Sequence, residues 1–420
     1  MFLHLRYSTD SLKTYIAVIL FFPTLWGFLG EHGISLGQIL YTFSVLGIGF
    51  TLLLYRRTQP KIPSIYTRLF AVQTFIYAIS LSVNSFIRNG NVTMSDMTDL
   101  YRPISYILSI TIGYSLYDKS VMIERVVRFT ICTIILCSLL DCLKFTPIGV
   151  NVLKLYTHLA PGSFNYMRFS GTFAYCYNYV YVLIFGLLLS LFCNIRRPLS
   201  FAVFSGLIIL GGSRAGFAAF AFAILLYYLM NKRFSSAIFS ISLTVVSASV
   251  VIYLLTFLDI PLLNDIFANV EKLSAALSGD GVDGSMNTRN SQLDTALTNF
   301  YESPLWGRGP LKGSTKPIEI QMGYYISSWG MAGTSVYLAI IGSFLYFAWK
   351  MRKQRGIIGR FSKANFAWIL CSFIIGLSTP ITDQIRVSQL FFLVQGIQYG
   401  LYFMEKHNLN PKSIKKNTDD

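Results

Sequence analysis

Charge is scarce in this chain. Asp, Glu, Lys and Arg make up only 13% of its 420 residues, against roughly 25% in an average soluble protein. No long polar stretch exists, so the two or three soluble domains that this length would otherwise suggest are excluded. Histidine is rarer still, at four residues (His4, His32, His158, His407), and the six cysteines fall within or beside apolar runs. No Cys/His ligand spacing and no disulfide framework follow from them. Asp-x-Asp is missing, so nothing suggests a metal holding a sugar-nucleotide diphosphate. A Gly-rich phosphate loop ending in Lys-Ser/Thr is missing too, which argues against ATP-driven transport. So is a Gly-x-Ser-x-Gly elbow, the usual mark of a serine acyl-transfer site.

What remains is apolar. Apolar types are 53% of the chain and the mean hydropathy is +0.53. Runs of 15 to 25 such residues follow one another almost from end to end. In lipid every backbone N–H and C=O must be paired internally, so these runs must be helices. The spacing predicts an all-α, polytopic membrane protein of about twelve spans over residues 14–30, 34–55, 69–87, 103–117, 129–145, 173–193, 198–212, 215–230, 235–257, 322–349, 365–382 and 386–404. Residues 1–420 form a single integral membrane domain on this reading. The first run lacks a small-residue cleavage site and reads as a retained span.

The formal net charge of +16 sorts by position. With the N-terminus inside, the cytoplasmic segments hold 23 of the 35 Lys and Arg but only six of the 19 acids. This is the positive-inside signal rather than a nucleic-acid patch, and it places both termini in the cytoplasm. Three external stretches are long: 88–102, 146–172 and 258–321. The last is large enough for a small lid. Leu263, Phe267, Val270, Leu273 and Leu277 recur there at helical spacing, as do Leu293, Leu297 and Phe300, with a turn-rich break between them. Two amphipathic helices on the outer membrane face are expected.

Residues 199–230 carry one charge, Arg214. A single helix of that length would measure about 48 Å, too long for a hydrocarbon core of about 30 Å. Both flanks are basic (Arg196-Arg197 and Lys232-Arg233), so the run must be a hairpin turning at Gly211–Gly216. Each short arm leaves Arg214 below the outer surface, facing a polar cavity or reaching to external headgroups. A charge there costs up to about 2.5–3.5 kcal/mol and needs a partner.

Four more arginines stand at outer span edges: Arg102, Arg168, Arg289 and Arg386. A guanidinium stays charged and offers a planar fork to two phosphate oxygens, so arginine suits a diphosphate. Asp141, Asp294, Glu302 and Asp383 lie on the same side and are candidate general bases. Asp383 precedes Arg386 at helical spacing, which predicts a structural ion pair.

At these residues the chain resembles the O-antigen polymerase and ligase superfamily of bacterial membrane glycosyltransferases. The matching pieces are Arg168-Phe-Ser-Gly-Thr-Phe173 with Asn178 opening the next span, and Gly212-Ser-Arg-Ala-Gly216 at an external turn. Further on come Arg289 with Ala296-Leu-Thr-Asn-Phe300, then Ser303-Pro-Leu-Trp-Gly-Arg-Gly309, and Trp329-Gly-Met-Ala-Gly333 inside the span after the long loop. Their order and topology match across roughly residues 165–345. The resemblance implies a GT-C-like fold in the bacterial inner membrane, with 258–321 as its large periplasmic loop. Its substrates would be undecaprenyl-diphosphate-linked oligosaccharides, its candidate protein partner a membrane chain-length regulator, and no cofactor is expected. Carried over, Arg168, Arg214 and Arg289 bind the diphosphate or support departure of the lipid carrier. Arg214, Arg289 and Asp383 are then the candidate catalytic residues, and Arg168, Asn178, Arg102, Arg386 and Glu302 the candidate substrate-binding ones. Ligases of this superfamily use a histidine in the large external loop, and residues 258–321 contain none. That departure favours a polymerase. A ligase, or a flippase or secondary transporter of the lipid-linked unit, is the alternative.

Overall fold

A computed structural model describes residues 2–25, 34–55, 63–87, 94–117, 122–157, 159, 168–231, 284–310 and 318–408. The expected span 235–257, the first amphipathic helix (263–277), the turn-rich break, His32 and His158 lie outside the described residues. All regular structure among the described residues is helical. The helices are α1 (Phe2–Phe21), α2 (Ile34–Tyr55), α3 (Ser64–Ser82, extended by one wide turn, Val83–Ile87), α4 (Met94–Leu116), α5 (Ile123–Cys142), α6 (Pro147–Leu153) and α7 (Cys176–Cys193). They continue with α8 (Arg197–Gly211), α9 (Arg214–Asn231), α10 (Gly284–Glu302), α11 (Gln321–Met351), α12 (Gly356–Gly376) and α13 (Ile385–Asn408). Five of them are long and apolar enough to cross a membrane by length and composition. The all-α, polytopic membrane class is as expected.

Helix α7 is the hub. Every one of its residues except Tyr177 is buried, and α5, α8, α9 and α12 pack around it. Trp368 of α12 stacks on Phe185 with centroids 4.0 Å apart and donates from Nε1 to the Tyr181 carbonyl at 3.0 Å. A second layer pairs α13 with α4 and sets α11 against α3 and α12. Apolar matching alone does not hold helices together in lipid, so polar side chains lock the register. Asn365 and Gln395 exchange two amide hydrogen bonds of 3.0 Å between α12 and α13, and Ser109 donates to Gln389 at 2.6 Å between α4 and α13.

Several expected boundaries move. The first helix begins at Phe2, carries the Lys13–Asp10 ion pair (2.9 Å), and stops at Phe21. Pro23 explains the stop, because the residue before a proline is driven out of the helical region. Helix α4 starts nine residues before the expected span and holds Pro103 inside it, so Arg102 is helical rather than a loop residue. The hairpin forms as expected: α8 ends at Gly211 and α9 starts at Arg214.

The span after the long loop is not one continuous helix. Gly330 leaves the helical region inside α11 (φ 60°, ψ −163°), and residues 303–310 fill the break. Arg308 N donates to Ser327 O (2.8 Å) and Gly309 N to Ser328 O (2.9 Å), while Met331 N and Ala332 N donate to the carbonyls of Pro304 (2.8 Å) and Leu305 (3.1 Å). These bonds satisfy the backbone groups that the break would strand at membrane depth. Two glycines make the approach possible. A Cβ on Gly330 would come within 2.4 Å of Leu305 O, and one on Gly307 (φ 71°) within 2.4 Å of the Ser328 carbonyl carbon. Helix α10 (Gly284–Glu302) holds the second of the two apolar repeats read from the sequence. Its small and polar side, Gln292, Ala296 and Asn299, is buried, while Leu293 and Leu297 are exposed. Asn299 donates to Ser327 Oγ at 2.9 Å, and Gln292 accepts from Glu319 N at 3.2 Å. The apolar side therefore faces away from the bundle, as an interfacial helix requires.

Candidate active site

The ends of α4, α7, α11, α12 and α13 that the charge distribution assigns to the outside meet around the turn between α12 and α13, residues 377–384. Asp383 sits at its centre in a short 3-10 turn, with its side chain 7% exposed. Its Oδ1 accepts from Tyr106 OH of α4 at 2.8 Å and from Tyr325 OH of α11 at 3.0 Å. Its Oδ2 lies 4.0 Å from Arg102 Nη1. Arg102 is held by Asp99 one turn earlier (2.8 Å), and Asp99 in turn accepts from Tyr324 OH. Burial holds the Asp383 carboxyl above the usual carboxylate range, against the opposing pull of Arg102. Beside it is a cavity of about 10 Å³ lined by Arg102, Ser105, Tyr106, Ser388 and Gln389, about the room of one water.

The same turn gathers two other expected residues. Asn178, in the first turn of α7, donates to Gln384 Oε1 at 3.3 Å, next to Asp383. Arg289 of α10 donates from Nη2 to Ser378 Oγ at 3.0 Å. Gln384 also reaches Thr379 Oγ1 at 3.5 Å, so the Asn178 and Arg289 contacts end on neighbouring residues.

Arg168 and Arg214 belong to a second, adjoining part. Arg168 donates from Nη2 to the carbonyl of Gly212, in the turn that leads into Arg214. The Arg168 backbone is itself pinned. Lys144 donates to its carbonyl (2.9 Å) and to Asp141 Oδ2 (3.1 Å), and Asp141 Oδ2 also accepts from Ser170 N (2.8 Å). Ser213 Oγ caps the start of α9 by accepting from Gly216 N at 3.2 Å, and Arg214 is partly exposed at that start.

Two expected residues are engaged elsewhere. Arg386 does not pair with Asp383. It is 3% exposed and donates to the carbonyls of Leu20 (2.9 Å) and Phe22, with its guanidinium carbon 5.1 Å from the Tyr41 ring centroid and 5.0 Å from that of Tyr156. Helix spacing predicted the pair. It fails because Asp383 lies in the turn before α13, and because Arg386 caps the carbonyl end of α1. Glu302 is exposed and pairs with Arg308 at 3.0 Å. Asp99, Tyr106, Tyr324, Tyr325, Ser378 and Gln384 did not emerge from the sequence. The Asp99–Arg102 spacing of three was a usable signal for the first; the tyrosines carried none.

The paired motifs of the sequence now have a physical meaning. Ser303–Gly309 and Trp329–Gly333 are the two sides of the joint at Gly330, and Trp329 stacks on Tyr77 at 3.7 Å and meets Tyr324 edge-on at 6.5 Å. No curated protein matches the chain. Residues 199–334 match the family model described as O-antigen ligase, a stretch running from the Arg214 hairpin through the Gly330 joint. With that match, over about a third of the chain, added to the ordered motifs, the chain is similar to the O-antigen polymerase and ligase superfamily.

Proposed function

We propose that the protein is an O-antigen, or related polysaccharide, polymerase. It would transfer the growing glycan from undecaprenyl diphosphate onto a hydroxyl of the next lipid-linked repeat unit at the periplasmic face of the inner membrane. The observation that carries the transfer chemistry is the grouping of Arg102, Arg289 and Asn178 around the turn that bears Asp383, beside the linked turns of Arg168 and Arg214. The donor's C1–O bond to phosphate breaks as a new C1–O bond to the acceptor forms. Arg214, Arg289 and Arg168 take up the negative charge that develops on the departing diphosphate. Asp383, through a water in the adjoining cavity, takes the acceptor's proton. Arg102 and the two tyrosines orient that carboxylate. Glu302 would act in substrate binding at the exposed end of α10, and Arg386 by fixing α13 against α1.

The choice of polymerase over ligase rests on the long external loop, which holds no histidine between 258 and 321. The description of the matched family favours the ligase as the second reading. Deleting the gene and running lipopolysaccharide on a gel separates the two. Polymerase loss leaves core bearing a single repeat unit, whereas ligase loss leaves bare core, and the second result would overturn the proposal. A stalled lipid-linked unit on the inner side would instead indicate a flippase.

A further inference from the structure

The opposite end of the bundle holds a cavity that glycosyl transfer does not use. The turn after α11 and the first turn of α12 line an open cleft of about 520 Å³ with Arg352, Lys353, Arg360 and Lys363 together with Gln354 and two glycines. That is within the size range of small-ligand sites. Among the described residues no carboxylate lines it. Arg352 donates to the Trp349 carbonyl (2.8 Å), Arg360 to the Gly356 carbonyl (3.3 Å) and Lys363 to Asn231 Oδ1 (3.1 Å). Glu405 accepts from Gln354, the neutral member, at 3.0 Å.

The positive-inside bias requires charge on this face, but it does not require charges to converge. Arg68 and Arg125 meet it as exposed side chains, and Arg128 is paired with Glu124 at 2.6 Å. Here three of four cations are partly buried around one space, where like charges repel and solvent screens them less. An anion relieves that repulsion. The backbone of the first turn of α12, which has no side-chain cap, adds donors on the same side.

The position of the cavity identifies the anion. Tyr346 and Trp349, 53% and 47% exposed, stand two turns and one turn before Arg352 on α11, and the Arg352 guanidinium lies 3.0 Å from the Trp349 ring centroid. Exposed aromatic side chains of this kind mark the headgroup level of a bilayer. Basic pockets between helices at that level suit phosphate headgroups. We propose that this cavity binds the phosphate of an anionic phospholipid from the leaflet on the basic side of the protein.

The test uses the full-length protein in neutral detergent, titrated with dioleoylphosphatidylglycerol, dioleoylphosphatidylcholine or free glycerol phosphate. Thermal unfolding and native mass spectrometry read binding. The glycerol lipid should raise the unfolding temperature and stay bound, while the choline lipid and the tail-less phosphate at equal concentration do neither. Lys353→Gln with Arg360→Gln should weaken the glycerol lipid roughly 30-fold, at a factor of about five for each cation near an anionic headgroup. Arg68→Gln with Arg125→Gln removes the same charge outside the cavity and should change affinity by less than about twofold. An equal loss in both pairs, equal binding of the two lipids, or glycerol phosphate matching the lipid would each overturn the proposal. Should the first pair fold poorly, Lys353→Gln alone alters an exposed side chain and should still lose about fivefold; no loss counts against the site.

Discussion

Arg102 and Arg386 look alike in the sequence, each a lone arginine at the edge of an apolar run. Their roles diverge because of what surrounds them. Arg102 reaches a carboxylate at the turn between α12 and α13, whereas Arg386 meets the carbonyl end of α1 and an aromatic cage. That difference depends on contacts hundreds of residues apart, and the Asp99–Arg102 spacing is its one local trace. Arg214 was legible from its own neighbourhood, because a 32-residue apolar stretch with basic flanks must fold back on itself. If it grips a diphosphate, Arg214→Ala should cut chain extension at least about a hundredfold, the usual cost of one such donor. Arg214→Lys should remain badly impaired at normal protein level, because a point charge cannot bind as a fork. Ladder length on a gel, beside protein level, checks both. Full-length ladders from the lysine variant would show that the arginine only reaches for headgroups. For Asp383, a base must be ionised to accept a proton, and burial raises its ordinary value. The polymerisation rate should therefore fall on acidification at a pH above the usual carboxylate range. Asp383→Asn should abolish extension without disturbing the α12–α13 turn, and a wild-type pH profile in that variant would assign the proton to another group.

At the scale of elements, helical periodicity located most helices to within a few residues but missed the joint in α11. Apolar residues run on through Gly330, so hydropathy reads one span. The break exists only because residues 303–310 supply donors and acceptors to its open backbone groups. The same contacts explain why α10 shows its leucines outward, since its polar face has partners on α11 and the turn before it. Gly330→Ala should therefore destabilise the folded protein by about 1–3 kcal/mol from backbone strain alone, with more from the collision with Leu305 O. A lowered unfolding temperature together with lost activity is expected. An alanine variant of unchanged stability would mean that the joint tolerates a Cβ and is looser than its contacts indicate.

At the scale of the molecule, membrane class and helix order were legible because lipid leaves the chain few options: charge must gather at the ends and every peptide group must find its partner within the protein. The grouping of Asp383 with Arg102, Asn178 and Arg289 was not legible, because it arises from four connections meeting at one end of the bundle. That grouping serves an outward reaction only if the orientation is right. On a background without the native cysteines, Asn287→Cys should react with an impermeant thiol reagent in spheroplasts and Arg355→Cys should not. Both are exposed positions, at opposite ends of the bundle. The reverse pattern would put the Asp383 turn in the cytoplasm. The most direct test of polymerisation is reconstitution. Purified protein in vesicles, given only undecaprenyl-diphosphate-linked repeat units and excess EDTA, should produce a ladder of lengthening lipid-linked glycans. No ladder until a lipid A–core acceptor is added, followed by transfer of intact units to it, would contradict the polymerase and identify a ligase.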